Sequence, residues 1–87
     1  MKTQLNENFN GVLKNYFKNG RIKEVGLYKN GMLNGPFMAY FQQGSRKISA
    51  NYKEGKLNGL YQRWNAQGKL TVCKTYAGGK LLVSREY

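Results

Sequence analysis

The chain of 87 residues is long enough for one domain with a small core, and it carries 15 Lys and Arg against four acidic residues. Because net charge governs association rather than fold, the formal charge of +11 favours acidic proteins, anionic membrane surfaces or nucleic acid as partners. The chain has no His and a single cysteine, Cys73, which excludes an internal disulfide and a Cys–His zinc site. A Ser or Cys nucleophile would lack its usual activating base. The sequence therefore predicts a protein that is not an enzyme and that uses no cofactor or metal.

The N-terminal residues 1–8 are polar and align poorly with the rest of the chain. We interpret them as an N-terminal arm or a decayed half-repeat. They contain no apolar segment typical of a signal peptide, and no later stretch is long enough to span a bilayer. These features favour a soluble protein in the cytoplasm, with removal of a signal peptide upstream of Met1 left open.

From residue 9 onward the chain repeats with a period of 24 residues. The segment 28–35, Tyr-Lys-Asn-Gly-Met-Leu-Asn-Gly, returns at 52–59 as Tyr-Lys-Glu-Gly-Lys-Leu-Asn-Gly. It returns again at 76–83 in the degraded form Tyr-Ala-Gly-Gly-Lys-Leu-Leu-Val. Repetition at a fixed period is typical of repeat architectures. We therefore predict that residues 9–87 form one repeat domain of three 24-residue units and a closing strand.

Glycine-centred turns divide each unit into two segments. The turn glycines, separated alternately by 11 and 13 residues, are Gly20, Gly31, Gly44, Gly55, Gly68 and Gly79. Asn-Gly between strand-like runs is the strongest short hairpin signal, because both residues tolerate positive φ. We therefore expect positive φ at Gly20, Gly31, Gly55 and Gly68.

The segments between the turns are short and rich in strand-forming residues. They predict strands at 11–17, 22–28, 36–41, 46–52, 60–65, 69–76 and 81–87. Pro36 is expected near the start of its strand, where the missing N–H is tolerated. Since no connection is long enough for a parallel crossover, the predicted fold class is all-β. We expect a single twisted antiparallel β-meander of consecutive hairpins, with about six to eight strands.

This pattern of tyrosine, Asn-Gly turn, leucine, glycine and a later aromatic resembles the MORN repeat, and more closely its bacterial variant. The residues that carry the resemblance are Tyr28, Gly31, Leu33, Gly35, Tyr40, Gly44, Tyr52, Gly55, Leu57, Gly59, Trp64 and Gly68. The resemblance covers about residues 9–87, with departures at Gly78-Gly79 and Leu82-Val83. It implies a single sheet of hairpins. It also implies roles in protein scaffolding, in phospholipid binding by eukaryotic members, or as the antitoxin of a toxin–antitoxin pair.

Aromatic residues recur at fixed positions of the repeat. One row is Tyr16, Tyr40 and Trp64, and a neighbouring row is Leu13, Phe37 and Tyr61. The two rows differ in parity, so either both sheet faces carry rings or a bulge shifts the register. The rings are interpreted either as core or as an open surface, since a single-layer sheet leaves one face uncovered. Because Tyr, Trp and Arg are enriched at binding hot spots, the candidate partner-binding residues are Tyr16, Phe37, Tyr40, Tyr61, Arg63 and Trp64.

The sequence predicts a non-enzymatic, protein-binding repeat module. The most specific version of this prediction is a module that neutralises an acidic protein, as an antitoxin does. Binding to anionic phospholipid headgroups is the first alternative. Nucleic-acid binding through a basic aromatic face is the second; the scattering of Lys beside turns argues against it. Because open sheets leave unpaired edge strands, we also expect weak self-association through the strand ending at Tyr87 or through the N-terminal segment.

Overall fold

The computed structural model describes residues 8–87, which form one open antiparallel sheet without helices. The strands follow one another across the sheet in chain order, with the short β5 paired to β4 beside the main path. They are β1 (Gly11–Tyr16), β2 (Ile22–Lys29), β3 (Met32–Tyr40), β4 (Arg46–Lys53), β5 (Lys56–Leu57), β6 (Gly59–Trp64), β7 (Leu70–Ala77) and β8 (Lys80–Glu86). The prediction of an all-β antiparallel meander is confirmed. The predicted N-terminal arm, apart from its last residue, lies outside the described residues.

The strands lie within one residue of their predicted bounds except in the regions of β3 and β5. β3 begins at Met32 and contains Pro36 in its interior, whereas Pro36 was expected near the start of a strand. The β2–β3 register shifts between Gly26 and Tyr28, directly opposite this part of β3. The proline therefore lies at an irregularity of the ladder, where a missing N–H is tolerated. In the next unit the equivalent strand is divided at Asn58 into β5 and β6.

One of the two turns in each unit is a two-residue hairpin turn. In the first, Asn30 has φ 53° and Gly31 has φ 79°. Two consecutive residues with positive φ define a type I′ turn, whose twist matches that of the flanking strands. The same geometry returns 24 residues later at Glu54 (φ 51°) and Gly55 (φ 83°), and again at Gly78 and Gly79.

The other turn has one residue more. Phe17 donates its N–H to the carbonyl of Arg21 at 2.8 Å, and Gly20 donates to the carbonyl of Phe17 at 3.0 Å. This pattern encloses three residues, with Gly20 at φ 89° as a bulge glycine. Equivalent turns end at Gly44 and Gly68, which also have positive φ. The two turn types alternate along the chain, which explains the unequal glycine spacing, and the predicted positive φ values are confirmed.

The Leu-Asn-Gly element of the repeat joins each unit to the next. The side-chain oxygen Oδ1 of Asn34 accepts a hydrogen bond from the backbone N–H of Glu54 at 3.0 Å. Asn10 accepts from Asn30 at 3.0 Å and Asn58 accepts from Gly78 at 2.9 Å in the same way. These bonds hold each two-residue turn against the preceding unit. The asparagine of the repeat is therefore a structural residue.

The sheet has two distinct faces, because side chains alternate along each strand and residues in register point to the same side. We call one the tyrosine face, which carries Tyr28, Tyr52 and Tyr76. Across its middle, large and small residues alternate from strand to strand, in the order Leu13, Gly26, Phe37, Ala50 and Tyr61. Gly26 is buried, and Ala50 is 2% exposed. The described core therefore includes small residues covered by the larger side chains beside them.

Rings on the tyrosine face form edge-to-face pairs between neighbouring strands. The ring centroids of Phe37 and Tyr52 are 6.0 Å apart with an interplanar angle of 80°. Tyr61 and Tyr76 repeat this arrangement one unit later, at 6.2 Å and 85°. Pairs of this geometry stabilise a protein by about 0.5–1.5 kcal/mol beyond their buried area. The tyrosine of the repeat is thus a packing residue.

Candidate functional site

The structure divides the six candidate binding residues between the two faces of the sheet. Phe37, Tyr61 and Arg63 lie on the tyrosine face, because they share a register with its residues. Tyr16, Tyr40 and Trp64 occupy strand positions of the opposite parity and lie on the other face. The two aromatic rows expected from the sequence therefore do not form one surface.

The row of Tyr16, Tyr40 and Trp64 coincides with three bulges of the sheet. The register shifts between Asn15 and Tyr16 and, at the equivalent places one and two units later, at Tyr40 and Trp64. In each case the following strand contributes one extra residue opposite the ring. Both alternatives left open by the sequence therefore hold, since both faces carry rings and the register is bulged at every unit.

These three rings differ in their accessibility. Tyr16 is 57% exposed, Tyr40 is half-buried and Trp64 is only 8% exposed. The guanidinium Cζ of Arg46 lies 4.3 Å from the centroid of the Trp64 ring, within the range of a cation–π interaction. Arg63, which precedes Trp64 in sequence, points to the opposite face. Trp64 thus lies in the interior, and Tyr16 is the one exposed ring of this row.

The face opposite the tyrosine face carries a row of exposed aliphatic side chains, and we call it the aliphatic face. Exposed fractions along this row are 56% for Val12, 39% for Leu27, 44% for Leu60 and 48% for Val83. Val12 is in register with Leu27, and Leu60 is linked to Val83 through Thr75 of β7. In the middle of the row, Asn51 donates its Nδ2 hydrogen to the carbonyl of Leu60 at 3.2 Å.

The aliphatic row could have been found from the sequence. Val12 and Leu60 are separated by two repeat periods, with Pro36 midway between them. Aromatic residues drew the prediction to Tyr16, Tyr40 and Trp64 instead. The feature that identifies this row is whether a position is an odd or an even number of residues from a tyrosine of the repeat. Side chains alternate between the two faces along a strand, so this spacing assigns each residue to one face.

Charges are distributed unequally over the two faces. Basic side chains at the aliphatic face, from β1, β2, β4 and β8, include Lys14, Lys23, Arg46, Lys47 and Arg85. Glu24 and Glu86 lie on the tyrosine face, where Glu24 Oε1 accepts a hydrogen bond from Asn15 Nδ2 at 3.1 Å. Glu54 is in a hairpin turn. Within residues 8–87, the aliphatic face therefore carries basic groups and no carboxylate.

Two tyrosine hydroxyls on the tyrosine face have raised pKa values. Burial raises the pKa of Tyr28 above its ordinary value of 10.0, and the negative charge of Glu24 adds to the effect. Burial also raises the pKa of Tyr52, with further contributions from Tyr61, Tyr28 and Tyr76. The neutral phenol is therefore favoured by the folded state at both positions.

The described part of the chain offers no arrangement for metal binding or membrane crossing by a helix. No group of three or more His, Cys, Asp or Glu side chains in residues 8–87 is placed to hold a metal ion. None of these residues belongs to a helix that could cross a bilayer. Cys73 is a free, half-buried thiol.

Comparisons with known proteins found no counterpart for the chain. No protein-family model matches it, and neither curated proteins nor solved structures gave a significant match.

Proposed function

We propose that this chain is a non-enzymatic binding module that docks an acidic protein on the aliphatic face. The observation that carries the proposal is the coincidence of exposed Val12, Leu27, Leu60 and Val83 with basic side chains and no described carboxylate on one face. Acidic groups on a partner would meet Lys14, Lys23, Lys47 and Arg85. Apolar groups of the same partner would cover the aliphatic row.

Charge and apolar contact would contribute to binding at different distances. A formal charge of +11 attracts an acidic partner over long distances and raises the association rate. Burial of aliphatic side chains then supplies short-range free energy, at about 25 cal/mol per Å². A surface with both features favours a partner that alternates acidic and apolar groups. The resemblance to MORN repeats agrees with a scaffolding or antitoxin-like role, in which the acidic partner is neutralised by being covered.

Anionic phospholipid is the second candidate partner, because the same face joins lysines with exposed aliphatic side chains. Basic residues near an anionic membrane contribute about 1 kcal/mol each to binding. Lipid binding would place the aliphatic row at the level of the headgroups. It would depend on the anionic lipid content and would need no complementary shape.

Nucleic acid is less well supported as a partner. Single-strand platforms rely on rings on which the bases stack. At the aliphatic face the accessible row consists of Val12, Leu27, Leu60 and Val83, and the exposed ring of Tyr16 lies at the end of β1. The buried Trp64 is not available for stacking. This distribution supports protein or lipid in preference to nucleic acid.

The three candidates are separated by binding measurements with defined probes. These probes are a peptide of alternating Glu and Leu, a Glu-only peptide, phosphatidylserine vesicles and oligothymidylate. We expect the alternating peptide to bind more tightly than the Glu-only peptide, and binding to persist at moderate salt. A preference for the vesicles would favour the lipid candidate, and a steep loss of oligothymidylate binding with salt would favour nucleic acid.

A pair of substitutions tests the face itself. Leu27→Gln with Leu60→Gln removes apolar contact from the aliphatic face while the side chains stay exposed. We expect peptide binding to weaken about tenfold, with little change in the melting temperature. The control is Leu81→Gln, since Leu81 is also exposed (46%) but is in register with Tyr76 on the tyrosine face. Equal binding by the double variant and the parent would contradict the proposal.

A further inference from the structure

The aliphatic row runs across the strands and is continuous over β1, β2 and β3. Val12 of β1 is opposite Leu27 of β2, and Pro36 of β3 is opposite Asn51 of β4. The side chain of Leu27 reaches over to β3, where a Cβ at Gly35 would lie only 2.9 Å from Leu27 Cδ2. Val12, Leu27 and Pro36 are all exposed. A partner that covers this row therefore extends across the strands.

Two strands that are one repeat apart each carry a lysine at or near both ends on this face. β2 has Lys23 and Lys29, and β4 has Lys47 and Lys53 at the equivalent positions. Lys29 and Lys53 lie two residues beyond the aliphatic row, whereas Lys23 and Lys47 lie in the bulges on its other side. All four side chains are exposed. The aliphatic row thus runs between two pairs of lysines.

The spacing of these lysines suits the width of an α-helix. The two lysines of each strand are six residues apart, which corresponds to about 20 Å at about 3.4 Å per residue. An α-helix with its side chains is about 10–12 Å wide. A helix on the aliphatic row would leave a few ångströms on each side, which the long lysine side chains can span. Acidic residues on both flanks of the helix would therefore be within their reach.

The strand spacing also matches the helical repeat. Neighbouring strands are about 4.8 Å apart, and a helix advances about 5.4 Å per turn. Apolar residues at helical spacing would therefore meet successive members of the aliphatic row. From Val12 to Leu60 the row crosses five strands, a length of about 19 Å that about 13 helical residues span. An extended strand directs only a single line of side chains to the sheet, so it would not reach lysines on both sides.

We propose that the element of the acidic partner that docks on the aliphatic face is an amphipathic α-helix lying across the strands. This inference rests on the proposed function and specifies its partner. An apolar stripe of the helix covers Val12, Leu27, Pro36 and Leu60. Acidic residues on both sides of the stripe meet the two lysine pairs, and this charge complementarity fixes the position of the helix on the sheet.

Asn51 interrupts the apolar row and gives the surface a means of selection. It occupies the repeat position of Leu27. Its Nδ2 donates to the carbonyl of Leu60 at 3.2 Å, whereas its Oδ1 accepts no hydrogen bond within residues 8–87. A fully apolar stripe would cover this oxygen without offering it a donor, which is unfavourable. The helix therefore carries a hydrogen-bond donor such as Gln at the position that covers Asn51.

Two peptides of identical composition test the helical partner. Both contain Leu, Glu and one central Gln; one places Leu at helical spacing with Glu on both sides, and the other alternates Leu with Glu. Calorimetry measures their affinities, and circular dichroism measures the helicity of the bound peptide. We expect the peptide with helical spacing to bind at least tenfold more tightly and to become helical. Equal or tighter binding of the alternating peptide would overturn the helical inference and leave the proposed function intact, whereas binding of neither peptide would overturn both.

Two double variants test the lysine pairs separately. Lys23→Gln with Lys47→Gln removes the charges on one side of the aliphatic row, and Lys29→Gln with Lys53→Gln removes those on the other side. We expect each double variant to bind the peptide with helical spacing about tenfold more weakly at low salt. A partner that contacts one side alone would respond to one pair alone, and this result would overturn the proposal.

The matched control for both double variants is Arg63→Gln with Lys74→Gln. It lowers the net charge by the same amount but on the tyrosine face, where Lys74 is in register with Tyr61. We expect it to change the affinity less than threefold, and thermal melts establish that every variant is folded. Equal weakening by the control would show that the peptide responds to net charge alone and would overturn the proposed position of the helix.

Asn51→Leu tests the selection in the middle of the row. The repeat accommodates leucine at the equivalent position, Leu27. We expect the parent to prefer the helical-spacing peptide with a central Gln over one with Leu at that position by about threefold or more. The Asn51→Leu variant should reverse this preference. A parent that binds the two peptides equally would overturn the role of Asn51.

Discussion

The guanidinium of Arg46 covers the indole of Trp64, with 4.3 Å between its Cζ and the ring centroid. Arg46 belongs to β4 and Trp64 to β6, which are adjacent in the sheet. The contact leaves the largest side chain of the protein 8% exposed. In a single-layer sheet with few buried residues, a basic side chain therefore performs part of the covering that a second layer would otherwise provide.

Trp64→Ala should destabilise the fold strongly. Removal of a buried aromatic ring costs about 3–5 kcal/mol, because the transfer free energy is lost and a cavity remains. The matched control is Tyr16→Ala at the equivalent repeat position, where the ring is 57% exposed; we expect a loss below about 1 kcal/mol. Urea denaturation followed by circular dichroism measures both. Equal, small losses would show that Trp64 does not belong to the core.

Gly31→Val should destabilise the first two-residue turn. Gly31 has φ 79°, a conformation that a β-branched residue adopts only with strain. We expect a loss of more than about 1 kcal/mol in the free energy of unfolding. Asn30→Gly is the control, since glycine at the neighbouring positive-φ position (53°) should be tolerated. A thermal melt that shows no difference between the two variants would contradict the turn assignment.

The sequence predicted the architecture well because the determinants of the fold are local. Glycine turns at regular spacing define the hairpins, and consecutive hairpins leave only a meander. The binding surface was harder to predict. Tyr40 and Trp64 share a repeat position with Tyr16, yet Trp64 is buried by Arg46, a contact between strands that spacing alone does not reveal. Repetition identifies equivalent positions, whereas exposure depends on which side chains cover them.

The structural role of the repeat asparagine gives a further prediction. Asn34→Ala removes the Oδ1 that accepts from the N–H of Glu54 at 3.0 Å. Loss of such a hydrogen bond costs about 1 kcal/mol, and amide exchange at Glu54 should accelerate. Asn34→Asp keeps an acceptor and serves as the control. If Asn34→Ala leaves both the stability and the exchange rate unchanged, the contact between units contributes nothing to the fold.

The final prediction concerns the stability of the fold at alkaline pH. The pKa of Tyr52 is raised above its ordinary value of 10.0, chiefly by burial and further by the neighbouring tyrosines. A group whose pKa is higher in the folded state contributes stability that is complete below the unfolded-state value and lost as the pH rises through the folded-state value. The free energy of unfolding should therefore fall as the pH is raised above 10.0.

Tyr52→Phe retains the ring and removes the ionising hydroxyl. Urea denaturation across the alkaline range should show a shallower fall for this variant, and measurements at neutral pH provide its baseline. An identical alkaline fall in the parent and in Tyr52→Phe would mean that ionisation of Tyr52 does not contribute to it.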